Sequence, residues 1–277
     1  MIRIGAFNVM NIAGSEREFF VLELDGQTAL LPKAESGKGL RIGGSARVFV
    51  YNNGPDELRG TFAKPYAAVD ETAFLRVREA LGFGAFLDWG IPKDLFVPKR
   101  CQTGPLEKGD MCIVRICPDP DGGGVIGDCR FKSYFSGSVP SFRVGEEVGL
   151  LVYEKTKLGY NAVVNNDYTG LLYHNELYSD IVIGKSLPGY IKKIREDGGI
   201  DLTLQRQGVG GIADAADEVM KALAVNGGFI PLHDKSSPGE IQEKMGMSKK
   251  AFKRAVGSLY KKKLVSIDPD GIRMLNR

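Results

Sequence analysis

Phe83, Phe86 and Trp89 stand three residues apart in Phe83-Gly84-Ala85-Phe86-Leu87-Asp88-Trp89. Flat rings beside small residues are groups on which an unstacked base can rest, at about 1–3 kcal/mol per contact. On a regular strand an odd offset sends Phe83 and Phe86 to opposite faces, so one ring is expected outward and the other in a core. Trp89 falls in the loop Asp88-Trp89-Gly90-Ile91-Pro92, where it either stacks or caps a barrel end. Tyr160 suits a stacking face or a half-buried rim equally. A second group of chemically able residues lies near the C-terminus. Lys250, Lys253, Arg254, Gly257 and Lys261 share one helical face, with Lys249, Lys262 and Lys263 beside it. Ala251, Phe252, Ala255, Val256 and Leu259 fall on the other and would be core. Nothing on the charged face is set for reading base edges. Its expected contacts are to phosphate, hence sequence-tolerant and salt-sensitive.

Reaction chemistry has no comparable candidates. There is no P-loop, nucleophile elbow, H-E-x-x-H or carboxylate pair at metal spacing. Asp119 and Asp121 sit in a Pro-Gly turn and read as turn formers. The two histidines, His174 and His233, are far apart, without a carboxylate at a telling distance. Cys101, Cys112, Cys117 and Cys129 show no C-x-x-C spacing and read as buried thiols of a reducing compartment. The expectation is a protein with no catalytic residues, no metal and no cofactor.

The elements that would hold these groups follow from the repeats. Leu30-Leu31-Pro32-Lys33 returns as Phe96-Val97-Pro98-Lys99 and, altered, as Leu171-Leu172-Tyr173-His174. A glycine-bearing turn follows each copy and leads into an alternating strand. Polar turns then precede a last strand: Asn52-Asn53-Gly54, Asp119-Pro120-Asp121-Gly122 and Glu196-Asp197-Gly198-Gly199. Period-two alternation broken by Gly, Asp, Asn and Pro predicts short strands, and five strands in ~70 residues is the economy of an OB barrel. The predicted modules are 1–66, 67–140 and 141–208. Gln207-Gly208-Val209-Gly210-Gly211 reads as a hinge, after which Ile212, Ala216, Val219 and Leu223 recur at helical spacing. Ser237 with Pro238, and then Ser248, are placed to cap two more helices. Leu264 to Ile267 and Ile272 to Leu275 form a hairpin across Asp268-Pro269-Asp270-Gly271. Three helices and a hairpin over 212–277 predict a winged helix. The fold class is therefore mainly β with a C-terminal α+β domain: three tandem OB-fold β-barrels followed by a winged-helix domain.

Composition fits a globular chain of this kind. It has 277 residues, 43% hydrophobic and 26% charged, with a net charge of +3. That charge is compatible with nucleic acid without demanding it. No apolar run approaches the ~20 residues of a membrane span. Met1-Ile2-Arg3-Ile4-Gly5 does not begin a signal peptide, so a cytoplasmic location is expected.

Two stretches carry a family likeness. Leu158-Gly159-Tyr160-Asn161-Ala162-Val163, Gly170-Leu171-Leu172-Tyr173-His174-Asn175-Glu176 and Ile200-Asp201-Leu202-Thr203-Leu204 resemble the S1 RNA-binding domain, with its F-G-A-F-V, G-L-[VL]-H-x-S-E and closing-strand patterns. Phe83-Gly84-Ala85-Phe86-Leu87 supplies the first motif intact. Three such barrels plus a winged helix resemble the conserved virulence factor B family of bacterial RNA-binding regulators. The resemblance implies a single-stranded RNA partner and a post-transcriptional or translation-linked role in gene expression. It also places Tyr173, and Val97 in the second segment, at the family's histidine. His174 then becomes a surface hydrogen-bonding group, and Lys132 and Arg206 lie where the family keeps a cation after the closing strand. The first segment has Phe19-Phe20-Val21-Leu22 in place of G-A-F. Binding is expected to concentrate in modules two and three and the last helix, with the first barrel a structural or protein-contact unit. The competing readings are a DNA-binding transcriptional regulator led by the winged helix and a protein-interaction scaffold.

Overall fold

Alternation along the first strand buries Ala6, Asn8, Met10 and Ile12 and exposes the residues between them less regularly. One buried face per strand is the condition for rolling a sheet into a barrel. The computed structural model describes residues 1–35, 39–54, 56–135, 141–177, 180–206 and 208–275. The chain forms two compact units, Met1–Ser138 with Asn166–Tyr168, and Val139–Asn165 with Thr169–Arg277.

In the first unit, β1 (Ala6–Glu16), β2 (Phe19–Leu24), β3 (Gln27–Pro32), β4 (Ser45–Asn52) and β5 (Leu58–Thr61) close a barrel in the order β1-β2-β3-β5-β4. Then β6 (Thr72–Leu81), β7 (Gly84–Leu87), β8 (Leu95–Pro98), β9 (Met111–Pro118) and β10 (Val125–Asp128) form a five-stranded sheet in the order β10-β9-β6-β7-β8. In the second unit, β11 (Glu147–Lys155), β12 (Gly159–Val164), β13 (Tyr168–Tyr173), β14 (Ser186–Ile194) and β15 (Ile200–Thr203) repeat the first closed order. Closure comes from a parallel pairing, Leu30 with Arg59 and Gly170 to Leu172 with Ile200 to Leu202. The opening strand of each copy shifts register against its neighbour at the same place: between Ile12 and Gly14, Val77 and Glu79, and Val152 and Glu154. A bulge there bends the long strand and raises its twist, which lets it belong to both walls of a small barrel.

The period then changes. α1 (Gly208–Val225), β16 (Phe229–Ile230), α2 (Pro238–Met245), α3 (Lys249–Lys261), β17 (Val265–Asp268) and β18 (Gly271–Met274) make a winged helix with sheet order β16-β18-β17. Val219, Leu223, Ile241, Phe252, Ala255, Leu259 and Ile272 fill its core. The Ser237 hydroxyl accepts from Glu240 N at 3.1 Å while the Glu240 carboxylate accepts from Ser237 N at 2.7 Å. That reciprocal box, with Pro238 at the first helical position and Gly246 left-handed at φ 62°, fixes both ends of α2. Two expectations change. Gly208 to Gly211, read as a hinge, open α1; Gln207 lies outside the described residues. Glycine in a helix costs about 0.5–1 kcal/mol relative to alanine, and the buried Ala216, Val219 and Leu223 further along supply the packing that holds the helix. The hairpin also gains a third strand, β16, too short to show a period.

Candidate nucleic-acid interface

One backbone hydrogen bond recurs in all three barrels and aligns them. Lys33 N donates to Glu18 O at 2.8 Å, Lys99 N to Phe83 O at 2.9 Å, and His174 N to Leu158 O at 3.1 Å. Pro32, Pro98 and Tyr173 therefore share one position, and Leu30, Phe96 and Leu171 another. The counterpart of Tyr173 in the second barrel is Pro98, not Val97. The repeat pairing of Phe96-Val97-Pro98-Lys99 with Leu171-Leu172-Tyr173-His174 gives this same register, and the family likeness that puts Val97 there is one residue early.

In the second barrel the aromatic residues gather on one face. Phe86 and Phe96 are direct cross-strand partners with ring centroids 5.1 Å apart. Phe83 lies 6.3 Å from Phe86 and 5.9 Å from Phe96, and is 61% exposed. The expected split of Phe83 and Phe86 between two faces does not occur. Phe83 precedes β7, so strand parity does not govern it. Gly84 makes room for this arrangement, since a Cβ there would strike the Phe96 ring and lie 2.7 Å from Val97 O. Phe96 was not singled out in the sequence, although its register opposite Phe86 would have found it. Trp89 is not at the surface. Only 1% exposed, it donates from Nε1 to Ala67 O at 2.7 Å and meets Phe49 edge-on at 5.3 Å. Its indole finds both its apolar packing and its single acceptor inside the fold, so no face is left for a base. Lys99 and Arg100, in the single turn of 3-10 helix after β8, are exposed. Lys132 is exposed in a similar short helix after β10.

In the third barrel the rings are tied. Tyr160 is 1% exposed, its hydroxyl donating to Asp180 at 2.8 Å and its ring edge-on to His174 at 5.2 Å. It is a core residue, not a platform: every β12 residue but Asn161 is buried, and Asp180 takes up its one polar atom. Lys155 and Tyr160 beside Asp180 hold that carboxyl below the usual carboxylate range. Tyr173 is half-buried, donates to Asp201 at 3.1 Å and has Lys192 Nζ 5.8 Å from its ring centre. Desolvation, then the Asp201 carboxylate, raise its hydroxyl above the usual tyrosine value. The His174 ring donates from Nε2 to Thr156 O at 2.9 Å, because a carbonyl only accepts. Gly159 cannot be replaced freely: a Cβ would collide with the Leu172 carbonyl. Arg206 is exposed just past β15.

The first barrel is better furnished than its sequence suggested. Phe19 lies under Arg59 at 5.0 Å, Phe20 under Lys33 at 5.7 Å and Phe7 under Arg47 at 4.5 Å. These cation–ring pairs sit on strands β1 and β2, where a search for G-A-F finds nothing.

On the winged helix, Lys250, Lys253, Arg254 and Lys261 are exposed on α3, and among the described residues no carboxylate pairs with any of them. Lys249 is half-buried and reaches Lys235 O at 3.5 Å. Arg273 on the wing is occupied by Asp268 at 3.4 Å and Asp270 at 2.5 Å.

Comparison with known proteins gives two family matches and several relatives. Residues 4–63 match the S1 domain family and residues 217–274 the CvfB-like winged helix domain. Conserved virulence factor B of Staphylococcus epidermidis is 26% identical over 96% of both chains. That of Staphylococcus aureus is 23% identical over 99% of this chain and 95% of its own. The resemblance to conserved virulence factor B holds along nearly the whole chain. The S1 match falls on the first barrel, the one in which the sequence motifs were faintest. A crystal structure of a multidomain protein with nucleic acid binding domains from Streptococcus pneumoniae aligns over 98% of both chains at 26% identity, with a TM-score of 0.42. S1 barrels and winged helices are nucleic-acid-binding domain types, not enzyme folds. Among the described residues no helix is long and apolar enough to cross a membrane, and no three His, Cys, Asp or Glu side chains are grouped to hold a metal.

Proposed function

We propose that the chain is a non-catalytic RNA-binding protein that regulates gene expression after transcription or at translation. Its working modules would run 1–66, 67–140, 141–208 and 212–277. The observation that supports this most is the Phe83–Phe86–Phe96 slab, whose outermost ring is 61% exposed. An exposed phenylalanine has no polar atom to satisfy and costs free energy in water, so Phe83 standing on the half-buried Phe86 and Phe96 supports a contact surface on this wall. Lys99 stands just beyond β8 to meet the phosphates of a strand stacked there, while its neighbour Arg100 is held by Asp121 at 2.6 Å. The cations of α3 add a sequence-tolerant hold, and tethered modules raise one another's effective concentration. Of the residues expected to touch RNA, the slab, Tyr173, His174, Lys132, Arg206 and the α3 cations remain in the proposal. Filter binding against homopolymer RNAs and duplex DNA, at several salt concentrations, tests it. Single strands should bind more tightly than duplex.

The α3 cations Lys250, Lys253, Arg254 and Lys261, which pair with no carboxylate among the described residues, favour a second reading, a DNA-binding regulator led by the winged helix. Tighter binding to duplex DNA than to any single-stranded RNA would put it first.

A further inference from the structure

Gly257 stands in α3 where packing gives no reason for a glycine. It lies in the interior of the helix, with a full turn on its N-terminal side and Ser258 to Lys261 after it. Phe252, Ala255, Val256 and Leu259 bury the opposite face, so position 257 points outward among the cations. Its backbone is ordinary right-handed helix, and a Cβ placed on it would have no neighbouring atom within 4 Å. Any residue could stand there, yet the one present is the poorest helix former after proline. Local rules broken without a structural return belong to functional sites, and glycine serves where a ligand must come close to the backbone.

The surroundings of that gap select its ligand. Helical side chains lean toward the N-terminus, over the turn before their own. A side chain at 257 would therefore cover the spot beside Lys253 and Arg254, and the glycine leaves that spot open. One turn on, Tyr260 and Lys261 are placed to close over it from the other side. All four are exposed, Tyr260 to 57%, and among the described residues none of them meets a carboxylate. An open dip rimmed by three cations and a phenol suits an anion with acceptor oxygens on several sides, as a phosphate has. The hairpin after α3 adds no second cationic rail. Asp268 and Asp270 flank its turn, and its one arginine, Arg273, is bonded to Asp270, faces Asp268 at 3.4 Å and lies 4.3 Å from the Phe229 ring. A duplex groove has a backbone on each side, whereas one rail matches one backbone.

We propose that Gly257 is where a single RNA strand comes closest to α3: one phosphate sits in the dip, with Lys253, Arg254 and Lys261 around it and the Tyr260 hydroxyl donating to it. The missing side chain lets the phosphate settle low enough for groups from both flanking turns to reach it together. This rests on the RNA-binding reading and adds to it an uncharged residue that positions the strand.

The test is Gly257→Ala in the full chain, titrated with a short labelled oligouridine at several salt concentrations and melted beside the wild type. The substitution leaves every charge in place. Alanine suits the helix and its Cβ meets nothing, so the melting temperature should hold or rise. Affinity should nevertheless fall about fivefold at low salt, the worth of one ordinary hydrogen bond. The dependence of log affinity on log salt should become shallower by about 0.7, the share of one phosphate on a single strand. Gly257→Leu, which fills the dip, should weaken binding further, and Arg273→Ala should leave it unchanged; should the leucine variant fail to fold, alanine decides alone. Wild-type affinity and salt slope in Gly257→Ala overturn the phosphate seat and leave RNA binding standing, while no affinity of the wild type for the oligonucleotide overturns both. A lower melting temperature accompanying the lower affinity also overturns the seat, because the glycine would then be structural. Tighter wild-type binding to duplex DNA of the same length, weakened by Arg273→Ala, overturns the single strand. A polyglutamate peptide that binds more tightly than the RNA and loses affinity in Gly257→Ala overturns the proposal as well, since the dip would then receive acidic protein.

Discussion

The second and third barrels share a strand order and a register, yet treat their rings differently. In the second, phenylalanines crowd one another across β7 and β8 and the outermost stays open to water. In the third, the tyrosines are held by their hydroxyls, Tyr160 to Asp180 and Tyr173 to Asp201. A hydroxyl gives the fold a handle by which to fix a ring. Without one, the ring is placed only by what it packs against, and part of its face remains available. Similar aromatic content thus leaves Phe83 open to water in one barrel and ties Tyr160 and Tyr173 to carboxylates in the other.

Substitutions can break that contrast. Tyr160→Ala should cost about 3–5 kcal/mol of stability, as for other large buried aromatic side chains, read as a lower melting temperature or denaturant midpoint. Phe83→Ala should change stability by no more than ~0.5 kcal/mol and weaken single-stranded RNA binding by about 1–3 kcal/mol in direct titration. If Phe83→Ala destabilises as much as Tyr160→Ala, the slab is a core and the contrast fails. Lys250→Ala with Lys253→Ala should reduce the dependence of log affinity on log salt by about 0.7 per lysine on single strands, with melting little changed. Tyr160→Phe, which removes only the hydroxyl bonded to Asp180, should cost about 1 kcal/mol and leave the affinity for RNA as it was.

The fold was legible because its periods are clean. Alternation marked the barrels, and the caps Ser237 and Ser248 stand next to helices that begin at Pro238 and Lys249. Pairing the repeats by Leu-Leu-Pro-Lys and Phe-Val-Pro-Lys set the same register as the shared hydrogen bond. The interface was less legible because facing depends on where a strand starts. Strand parity separated Phe83 from Phe86 only on the assumption that Phe83 lies within β7. Trp89 and Tyr160 looked usable because type and spacing do not report a buried acceptor, such as Ala67 O, or a carboxylate twenty residues away in sequence, such as Asp180. The first barrel was underrated for a related reason. Its cations reach Phe19 and Phe20 from outside the motif, Arg59 from β5 and Lys33 from beyond β3. Motif matching along one strand does not see partners delivered by another.

The central claim is that the phenylalanine slab of the second barrel is a single-stranded RNA contact. Titrating the folded full chain and its Phe83→Ala variant with a short single-stranded RNA at low and moderate salt tests it most directly. The account predicts a loss of about fivefold or more in affinity at both salt concentrations, with an unchanged salt slope, because stacking releases no counterions. Unchanged affinity at both salts would contradict it.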